Sequence, residues 1–221
     1  MALTANDLIT EAVAQYNDEL QDDADYARIK TATWIKYLNS ALRSLVLVRP
    51  DSNVTRAPVQ LVAGTQQDIP TAAVRLISIP RNMGTDGLTA GRIITPINTE
   101  LLNLTNQLWH QATAKTYINH FMLDDESPRT FFVTPPVHAV TAVYVEMLYS
   151  EMPTVITATG DAIGVSDVFA NPLIAWMLYR AYTVDDEEVN FQKGTSHLTE
   201  FMNLLQVELK GGLQVTPTKD E

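Results

Sequence analysis

Cysteine does not occur anywhere in the 221-residue chain, and its absence excludes three kinds of site. Without thiols the chain can form no disulfide bridge, no thiolate zinc site and no cysteine nucleophile. Proteins without disulfides are typical of a reducing cytoplasm. The sequence therefore predicts a protein that is made in a cytoplasm and is stabilised by core packing.

Basic residues are also scarce. The chain holds 15 Lys and Arg against 26 Asp and Glu, which sets its formal net charge at −11. Tight binding of DNA or RNA depends on clustered Lys and Arg side chains that neutralise phosphates. We therefore expect that nucleic acid can pass along this protein without being bound tightly.

Long hydrophobic runs are missing too. The longest apolar run, Leu173–Tyr179, is far shorter than the ~20 residues of a membrane-spanning helix. The N-terminal MALTANDLITEA has no basic region followed by an apolar one, so we expect neither a signal peptide nor membrane insertion. Hydrophobic residues nevertheless make up 46% of the chain and charged residues 19%, which is typical of a globular protein.

Amphipathic patterns predict two helices near the N-terminus. Thr4 and Asp7 form a variant of the capping box, which predicts that the first helix spans roughly 5–20. Apolar residues at three- and four-residue spacing resume at Trp34 and predict the second helix. That helix must end before Pro50, because proline disfavours helical geometry in the residue that precedes it.

Two more helices are predicted near the C-terminus. Asn171 and Pro172 are typical of the first positions of a helix, and the LIAWMLYRAY that follows is apolar on nearly every side. We therefore expect this third helix to be central and buried. The fourth helix spans roughly 188–210, and Gly211 and Gly212 act as its stop signal.

The region between these helix pairs has β character, because Pro, Gly, Val, Ile, Thr and aromatic residues are concentrated there. RNMGTDGLTAG predicts a glycine-rich loop, and INTELLNLTNQLW predicts a short helix within the region. The predicted strands are Val59–Val62, Val74–Ile79, Tyr117–Leu123, Thr130–Thr134 and Val140–Tyr149.

This order of segments predicts an α+β fold. We expect the two terminal helix pairs to close into a four-helix bundle, with a sandwich-like β-rich domain inserted between them. The predicted domains are residues 1–53 and 166–210 for the helical bundle, 54–165 for the β-rich insert and 211–221 for a C-terminal tail.

Motifs that carry chemistry are not found in the sequence. His110, His120, His138 and His197 form no HxxxH or HExxH pair. The serine hydrolase elbow, the Walker loop and the dinucleotide-binding glycine motif are missing as well. We therefore predict no catalytic residue, no metal site and no cofactor. A pair of carboxylates for glycoside hydrolysis can still meet in three dimensions, since that site depends on spatial separation.

The LYRAYTVDDEE segment (178–188) combines a cation in an apolar helix with four consecutive acids. The acids mark the polar junction between the third and fourth helices, where the positive N-terminus of the fourth helix favours them. Arg180 is predicted either to form a salt bridge with a nearby acid or to anchor an interface. The candidate subunit-interface residues are Arg180, Asp185, Asp186, Glu187 and Glu188.

Five segments occur in a distinctive order: WIKYLNSALRSLVLVRPD (34–51), LVAGTQQDIP (61–70), RLISIPRNM (75–83), RTFFVTPP (129–136) and LYRAYTVDDEE (178–188). In this order they resemble the head-to-tail adaptor proteins of tailed phages, particularly those of short-tailed phages. The resemblance runs from about residue 26 to 205. It implies a structural virion protein with no enzymatic activity.

In such adaptors many copies form a ring beneath the portal, to which the tail attaches. The resemblance implies a connector in the phage neck that lines the DNA ejection channel and binds the portal protein, a tail nozzle or tube protein and further copies of itself, as a dodecameric ring. The resemblance also implies that a C-terminal extension inserts into the portal. The corresponding residues here are Gly211, Gly212, Leu213, Gln214, Val215, Thr216 and Pro217.

Two other functions remain open on the sequence alone. One is a tail-associated hydrolase of peptidoglycan or glycan, with acids of 185–188 or 124–126 as general acid and base. The other is a receptor- or carbohydrate-binding module that uses the β-rich insert and its exposed aromatic residues.

Overall fold

The computed structural model describes residues 3–16, 29–124, 126–184 and 190–213. The described residues divide into two compact units. The first unit, called the helical unit here, takes its residues from 1–52 and 153–221. The second unit, the β unit, consists of Asn53–Met152.

The described residues of the helical unit form four α-helices. These are α1 (Ala5–Tyr16), α2 (Thr31–Val48), α4 (Ala170–Val184) and α5 (Phe191–Leu213). The remaining helix of the described chain, α3 (Thr99–Thr105), lies in the β unit. Short 3-10 turns precede the β unit at Pro50–Ser52 and precede α4 at Asp167–Phe169.

The prediction of a four-helix bundle with an inserted sandwich-like domain is wrong. The described residues form an α+β protein with five α-helices and seven strands in two sheets. Within the helical unit α4 packs against each of α1, α2 and α5, whereas α5 packs mainly on α4. The helices therefore surround a central α4, because this helix is apolar on nearly every side and is buried by three neighbours.

The burial predicted for α4 is confirmed. Leu173, Met177 and Ala181 are completely buried, and they join residues of α1, α2 and α5 in one hydrophobic cluster. Aromatic rings connect α4 to α5, since the Trp176 ring centroid lies 5.0 Å from that of Phe201.

Local signals in the sequence located some helix ends correctly. The capping box at α1 is confirmed, because the Thr4 amide donates to Asp7 Oδ2 at 2.9 Å and the Asp7 amide donates back to Thr4 Oγ1 at 3.4 Å. Residues 17–20 of the predicted first helix lie outside the described residues. Helix α2 ends at Val48, two residues before Pro50.

Two other helix ends differ from the prediction. Helix α4 begins at Ala170, before the Asn171-Pro172 pair, because the 3-10 turn over Asp167–Phe169 leads directly into it. Helix α5 continues through Gly211 and Gly212 to Leu213. Glycine weakens a helix by only about 1 kcal/mol relative to alanine, so the helix can continue through these residues.

The β unit contains two sheets. Their strands are β1 (Val54–Gln60), β2 (Gly64–Asp68), β3 (Ala73–Asn82), β4 (Thr95–Pro96), β5 (His120–Leu123), β6 (Thr130–Val137) and β7 (Tyr144–Glu151). One sheet has the strand order β1-β7-β3, and the other has the order β2-β6-β5-β4. The pairs within them are antiparallel except for β4 with β5.

The core of the β unit takes residues from both sheets. Ile79, Val145 and Met147 come from the first sheet, and Phe131 and Val133 come from the second. Each of these side chains is at most 1% exposed. Alternating burial along β1 and along the first half of β6 follows from the two-residue period of a strand.

Strand β2 was not among the predicted strands, because GTQQD has no apolar alternation. The buried residue of this strand is the polar Gln67. Its amide group is satisfied locally, since Gln67 Oε1 accepts from the Val62 amide and Gln67 Nε2 donates to the Val62 carbonyl, both at 2.8 Å. A polar residue can therefore occupy the buried position of this strand, because its side chain is fully hydrogen-bonded.

Candidate docking surfaces

A groove of about 1110 Å³ runs along the outer face of α5. One wall is formed by Val168 of the 3-10 turn before α4 and by Asn171 and Pro172 of α4, and the other by residues of α5. Phe191 at one end and Leu204 near the other belong to its lining, and the Phe191 side chain is 71% exposed. We call this the α5 groove.

Small side chains create the depression of the α5 groove. Thr195, Ser196 and Thr199 lie on the same face of α5, between the larger Phe191 and Leu204. The two threonine hydroxyls are already used, because Thr195 Oγ1 donates to the Phe191 carbonyl at 2.7 Å and Thr199 Oγ1 donates to the Thr195 carbonyl at 2.9 Å. A partner that covers these threonines would leave no unpaired hydroxyl donor.

Close packing of α5 on α4 positions the groove. Gly194 is buried on the side of α5 that faces α4. A Cβ atom at this residue would lie 2.6 Å from Thr183 Cγ2. The Thr183 side chain is held in place because its Oγ1 donates to the Tyr179 carbonyl at 2.8 Å. Gly194 therefore allows the two helices to approach more closely than any larger residue would.

An exposed apolar surface lies in the β unit. Helix α3 has no buried residue, and Leu101 and Leu104 lie one turn apart on it. Their side chains are 54% and 82% exposed, and that of Leu108, in the turn after the helix, is 64% exposed. We call these three residues the leucine ridge.

Polar contacts hold the leucine ridge in place. Asn98 caps α3, since its Oδ1 accepts from the Glu100 amide at 2.7 Å. The buried indole of Trp109 donates from Nε1 to Asn103 Oδ1 at 2.9 Å. A seven-residue helix is too short to be stable alone, so these two contacts keep α3 folded while its leucines face outward.

The glycine-rich loop that follows β3 is an ordered turn with an exposed tip. Asp86 accepts hydrogen bonds from the amides of Leu88 and Thr89, both at 3.0 Å, and from Thr89 Oγ1 at 2.8 Å. These donors lower the pKa of Asp86 to about 2. Gly87 adopts a positive φ of 73°, which favours glycine. The turn presents Leu88, which is 81% exposed.

Asn82, which sequence reasoning did not identify, fixes the base of that loop. This residue is buried, and its Nδ2 donates to the carbonyls of Ile118 at 2.8 Å and Arg92 at 3.0 Å. Its Oδ1 accepts from the Ile118 amide at 2.8 Å. Asn82 therefore joins the end of β3 to the segment that leads into β5.

Arg180 lies in α4 and is partly buried. Its Nε is buried without a hydrogen-bond partner within the described ranges, where no ion pair of Arg180 is found either. The predicted interface acids Asp185, Asp186, Glu187 and Glu188 lie outside the described residues. The assignment of these five residues to a subunit interface stays a prediction.

The predicted portal-binding residues fall into two groups. Gly211, Gly212 and Leu213 belong to the last turn of α5. Gln214, Val215, Thr216 and Pro217 lie outside the described residues. Their assignment to the portal stays a prediction.

Metal-binding geometry is not found in the described part of the chain, where no three His, Cys, Asp or Glu side chains are placed to hold an ion. Within the ranges that the structure describes, no helix has both the length and the apolar character that crossing a membrane requires. Asp124 of the acidic turn at 124–126 accepts from the Glu126 amide at 3.1 Å, and Asp125 lies outside the described residues.

Sequence reasoning missed both the α5 groove and the leucine ridge. The segment INTELLNLTNQLW was identified as a short helix, but its leucines were not recognised as exposed. The number of leucines in this segment could have indicated their exposure, because a short helix packed on one side needs only one or two apolar residues there. The small residues at 195, 196 and 199 gave no comparable signal, since a groove is visible only when its opposite wall is known.

Comparison with known proteins gives the family of this chain. A family model described as SU10 adaptor protein matches residues 3–217, which is nearly the whole chain. No curated protein matches it. The adaptor family implies contacts with other virion components at the head-to-tail junction. The chain therefore belongs to the SU10 adaptor protein family, and so to the structural components of a phage virion.

Proposed function

We propose that this adaptor forms a ring of identical subunits, dodecameric as in the adaptors it resembles, between the portal and the tail of a short-tailed phage. The observation that carries the proposal is the family match over residues 3–217. In this position the ring joins the portal protein above to a tail nozzle or tube protein below. It acts by holding these parts together and carries out no reaction.

Exposed apolar side chains support an assembly function. Leu88, Leu104 and Phe191 are each more than two thirds exposed, and they lie on three separate elements. A monomer gains nothing from such exposure, whereas a subunit with several partners can bury each surface in a different contact. The leucine ridge and the α5 groove are therefore candidates for contacts within the junction.

The charge of the chain supports a channel through which DNA moves. Its formal net charge is −11, so its surface repels the phosphate backbone on average. A channel wall that attracted DNA would retain the genome by multiple phosphate contacts. We propose that the ring lines the ejection channel and allows DNA to pass without binding it tightly.

The C-terminal residues 211–217 are proposed to bind the portal. Electron microscopy of the protein mixed with the portal of its parent phage tests this, with a variant that lacks residues 214–221 in parallel. The deletion leaves α5 at its described length. We expect a ring of added density below the portal with the full chain and none with the variant.

Two outcomes would contradict these proposals separately. If the full chain adds no density to the portal, the ring proposal fails. If the shortened chain adds the same ring as the full chain, the ring proposal stands and residues 214–217 are not needed for portal binding.

A further inference from the structure

We propose that His138 acts as a pH-sensitive switch in the turn between β6 and β7. The uncharged imidazole holds the turn in its observed conformation, and protonation of the ring releases it. The turn consists of residues 138–142, which lie between the buried Val137 and Val143. This inference concerns the subunit by itself and is independent of the proposed ring.

Two backbone amides of the turn donate to one ring nitrogen of His138. The Val140 amide donates to His138 Nδ1 at 3.2 Å, and the Thr141 amide donates to the same atom at 3.1 Å. A nitrogen that accepts hydrogen bonds carries a lone pair and no proton. The proton of the uncharged ring therefore lies on Nε2, because one ring nitrogen must carry it.

Protonation of this ring is incompatible with both hydrogen bonds. In the imidazolium form each ring nitrogen is a donor. Since Nε2 already carries a proton, the added proton goes to Nδ1 and points at the two amide N–H groups. The ring can become charged only when it and the turn move apart. Acid therefore releases the turn.

The turn depends on this ring because its other contacts are few. The His138 amide is fixed separately, since it donates to the Lys115 carbonyl at 3.0 Å. Within the described part of the chain, the amides of Val140 and Thr141 have no hydrogen-bond acceptor other than His138 Nδ1. The Val140 side chain is 88% exposed and adds no core packing.

The segment opposite the turn is held by a group that does not titrate. A cleft of about 450 Å³ lies between the turn and residues 60–63. On that opposite side, the amide side chain of Gln67 binds the backbone N–H and carbonyl of Val62, both at 2.8 Å. One wall of the cleft is therefore independent of pH, and the other depends on His138.

The charges around His138 do not favour a protonated ring. Among the described residues, those that line the cleft include no Asp, Glu, Lys or Arg. Lys115, in the segment that pairs with Val137, is positively charged. A charged ring at this place therefore finds no carboxylate in the cleft to compensate for the lost hydrogen bonds. The turn is held at high pH and is released as pH falls through the range of about 8 to 5, in which histidines commonly titrate.

NMR spectroscopy of the full chain tests the switch in two ways. The nitrogen shifts of the His138 ring identify its tautomer at about pH 8, where histidine is uncharged. Exchange of the Val140 and Thr141 amides with solvent is then compared at about pH 8 and about pH 5, each relative to the unfolded chain at the same pH. His138→Asn is the matched control, because the asparagine oxygen can accept from the same turn amides and does not titrate.

We expect the Nε2–H tautomer in the wild-type chain. Protection of the Val140 and Thr141 amides falls at least ~5-fold in acid, a change that the loss of one hydrogen bond is enough to cause. In His138→Asn the protection stays constant. The Leu61 amide, which donates to the Val143 carbonyl at 2.9 Å, serves as the internal reference and keeps its protection in both chains.

Three results would overturn the proposal. An Nδ1–H tautomer at about pH 8 would show that the ring does not accept from the turn. Unchanged protection of Val140 and Thr141 in the acidified wild-type chain would show that the turn does not depend on the charge of His138. An equal loss of protection in His138→Asn would assign the acid effect to another group. The first two measurements use the wild-type chain, so they decide the matter even if the variant does not fold.

Discussion

At the scale of single residues, amide side chains join segments of the backbone. The buried Asn82 and Gln67 and the partly buried Asn39 each use both ends of the amide group. Asn39 donates to the Ile156 carbonyl and accepts from the Ile156 amide, both at 2.9 Å, and so fixes the segment before α4. The side-chain hydrogen bonds of these residues join backbone segments, as backbone hydrogen bonds do in a strand pair or a helix turn.

Replacing Asn82 is expected to destabilise the protein strongly. Asn82→Ala removes both hydrogen bonds to Ile118, and the buried Ile118 amide loses its partner. Leaving such groups unpaired costs about 2–4 kcal/mol in the free energy of unfolding. Denaturant titration measures this loss, with the exposed Asn119→Ala as the control. Equal stability of the two variants would contradict the role given to Asn82.

Asp86 is expected to make the glycine-rich loop sensitive to acid. Amide and hydroxyl donors lower its pKa from the ordinary value of 3.8 to about 2. Because the folded state holds the ionised form, its contribution to stability is complete above about pH 4 and is lost as pH falls through about 2. NMR titration of the Asp86 carboxyl carbon measures the pKa directly. An ordinary pKa would show that the three hydrogen bonds do not persist in solution.

At the scale of elements, the position of a helix depends on one or two close contacts. Helix α5 is placed against α4 by Gly194 and by the ring stacking of Tyr182 on His197, whose centroids are 5.6 Å apart. Helix α3 is placed by its cap and by Trp109. In both cases the contact fixes an element whose exposed side forms a candidate docking surface.

Gly194→Ala is expected to destabilise the helical unit by about 1–3 kcal/mol, because the new methyl group meets Thr183 Cγ2. Thr183→Ser keeps the hydroxyl but removes that carbon. In the Thr183→Ser background, Gly194→Ala should therefore be neutral or stabilising by up to about 1 kcal/mol, the helix preference of alanine over glycine. A double-mutant cycle by thermal unfolding measures the coupling. Additive effects would show that the two helices are not in close contact at this residue.

At the scale of the whole molecule, the chain enters and leaves the β unit at neighbouring residues. Asn53 and Glu151 mark this point, since the Glu151 amide donates to the Asn53 carbonyl at 3.1 Å and Asn53 Nδ2 donates to the Glu151 carbonyl at 2.8 Å. The β unit also has a hydrophobic cluster of its own.

A fragment of residues 53–152 is therefore expected to fold alone. Its ends are already joined by hydrogen bonds, and its core needs no residue from outside the unit. A dispersed amide NMR spectrum and a cooperative thermal transition would confirm this, with Asn82→Ala in the same fragment as a destabilised control. A fragment without a cooperative transition would contradict the independence of the β unit.

Much of the fold could be predicted where the signal is local. The capping box at Thr4, the end of α2 before Pro50 and the apolar character of α4 depend on neighbouring residues, and the structure confirms each of them. The β character of the middle region follows from its composition, although β2 and β4 lack the apolar alternation that identifies a strand. Negative net charge and the absence of cysteine likewise need no structure.

The tertiary structure alone decided how these elements combine. Three features depend on contacts between residues far apart in sequence. Helix α4 lies at the centre of the other helices of its unit, Asn82 forms hydrogen bonds with Ile118, and the leucines of α3 remain exposed. Periodicity within a segment shows which face is apolar but not whether a neighbour covers it. The sequence therefore determined most of the elements and the family of this adaptor, and the packing of those elements determined its candidate docking surfaces.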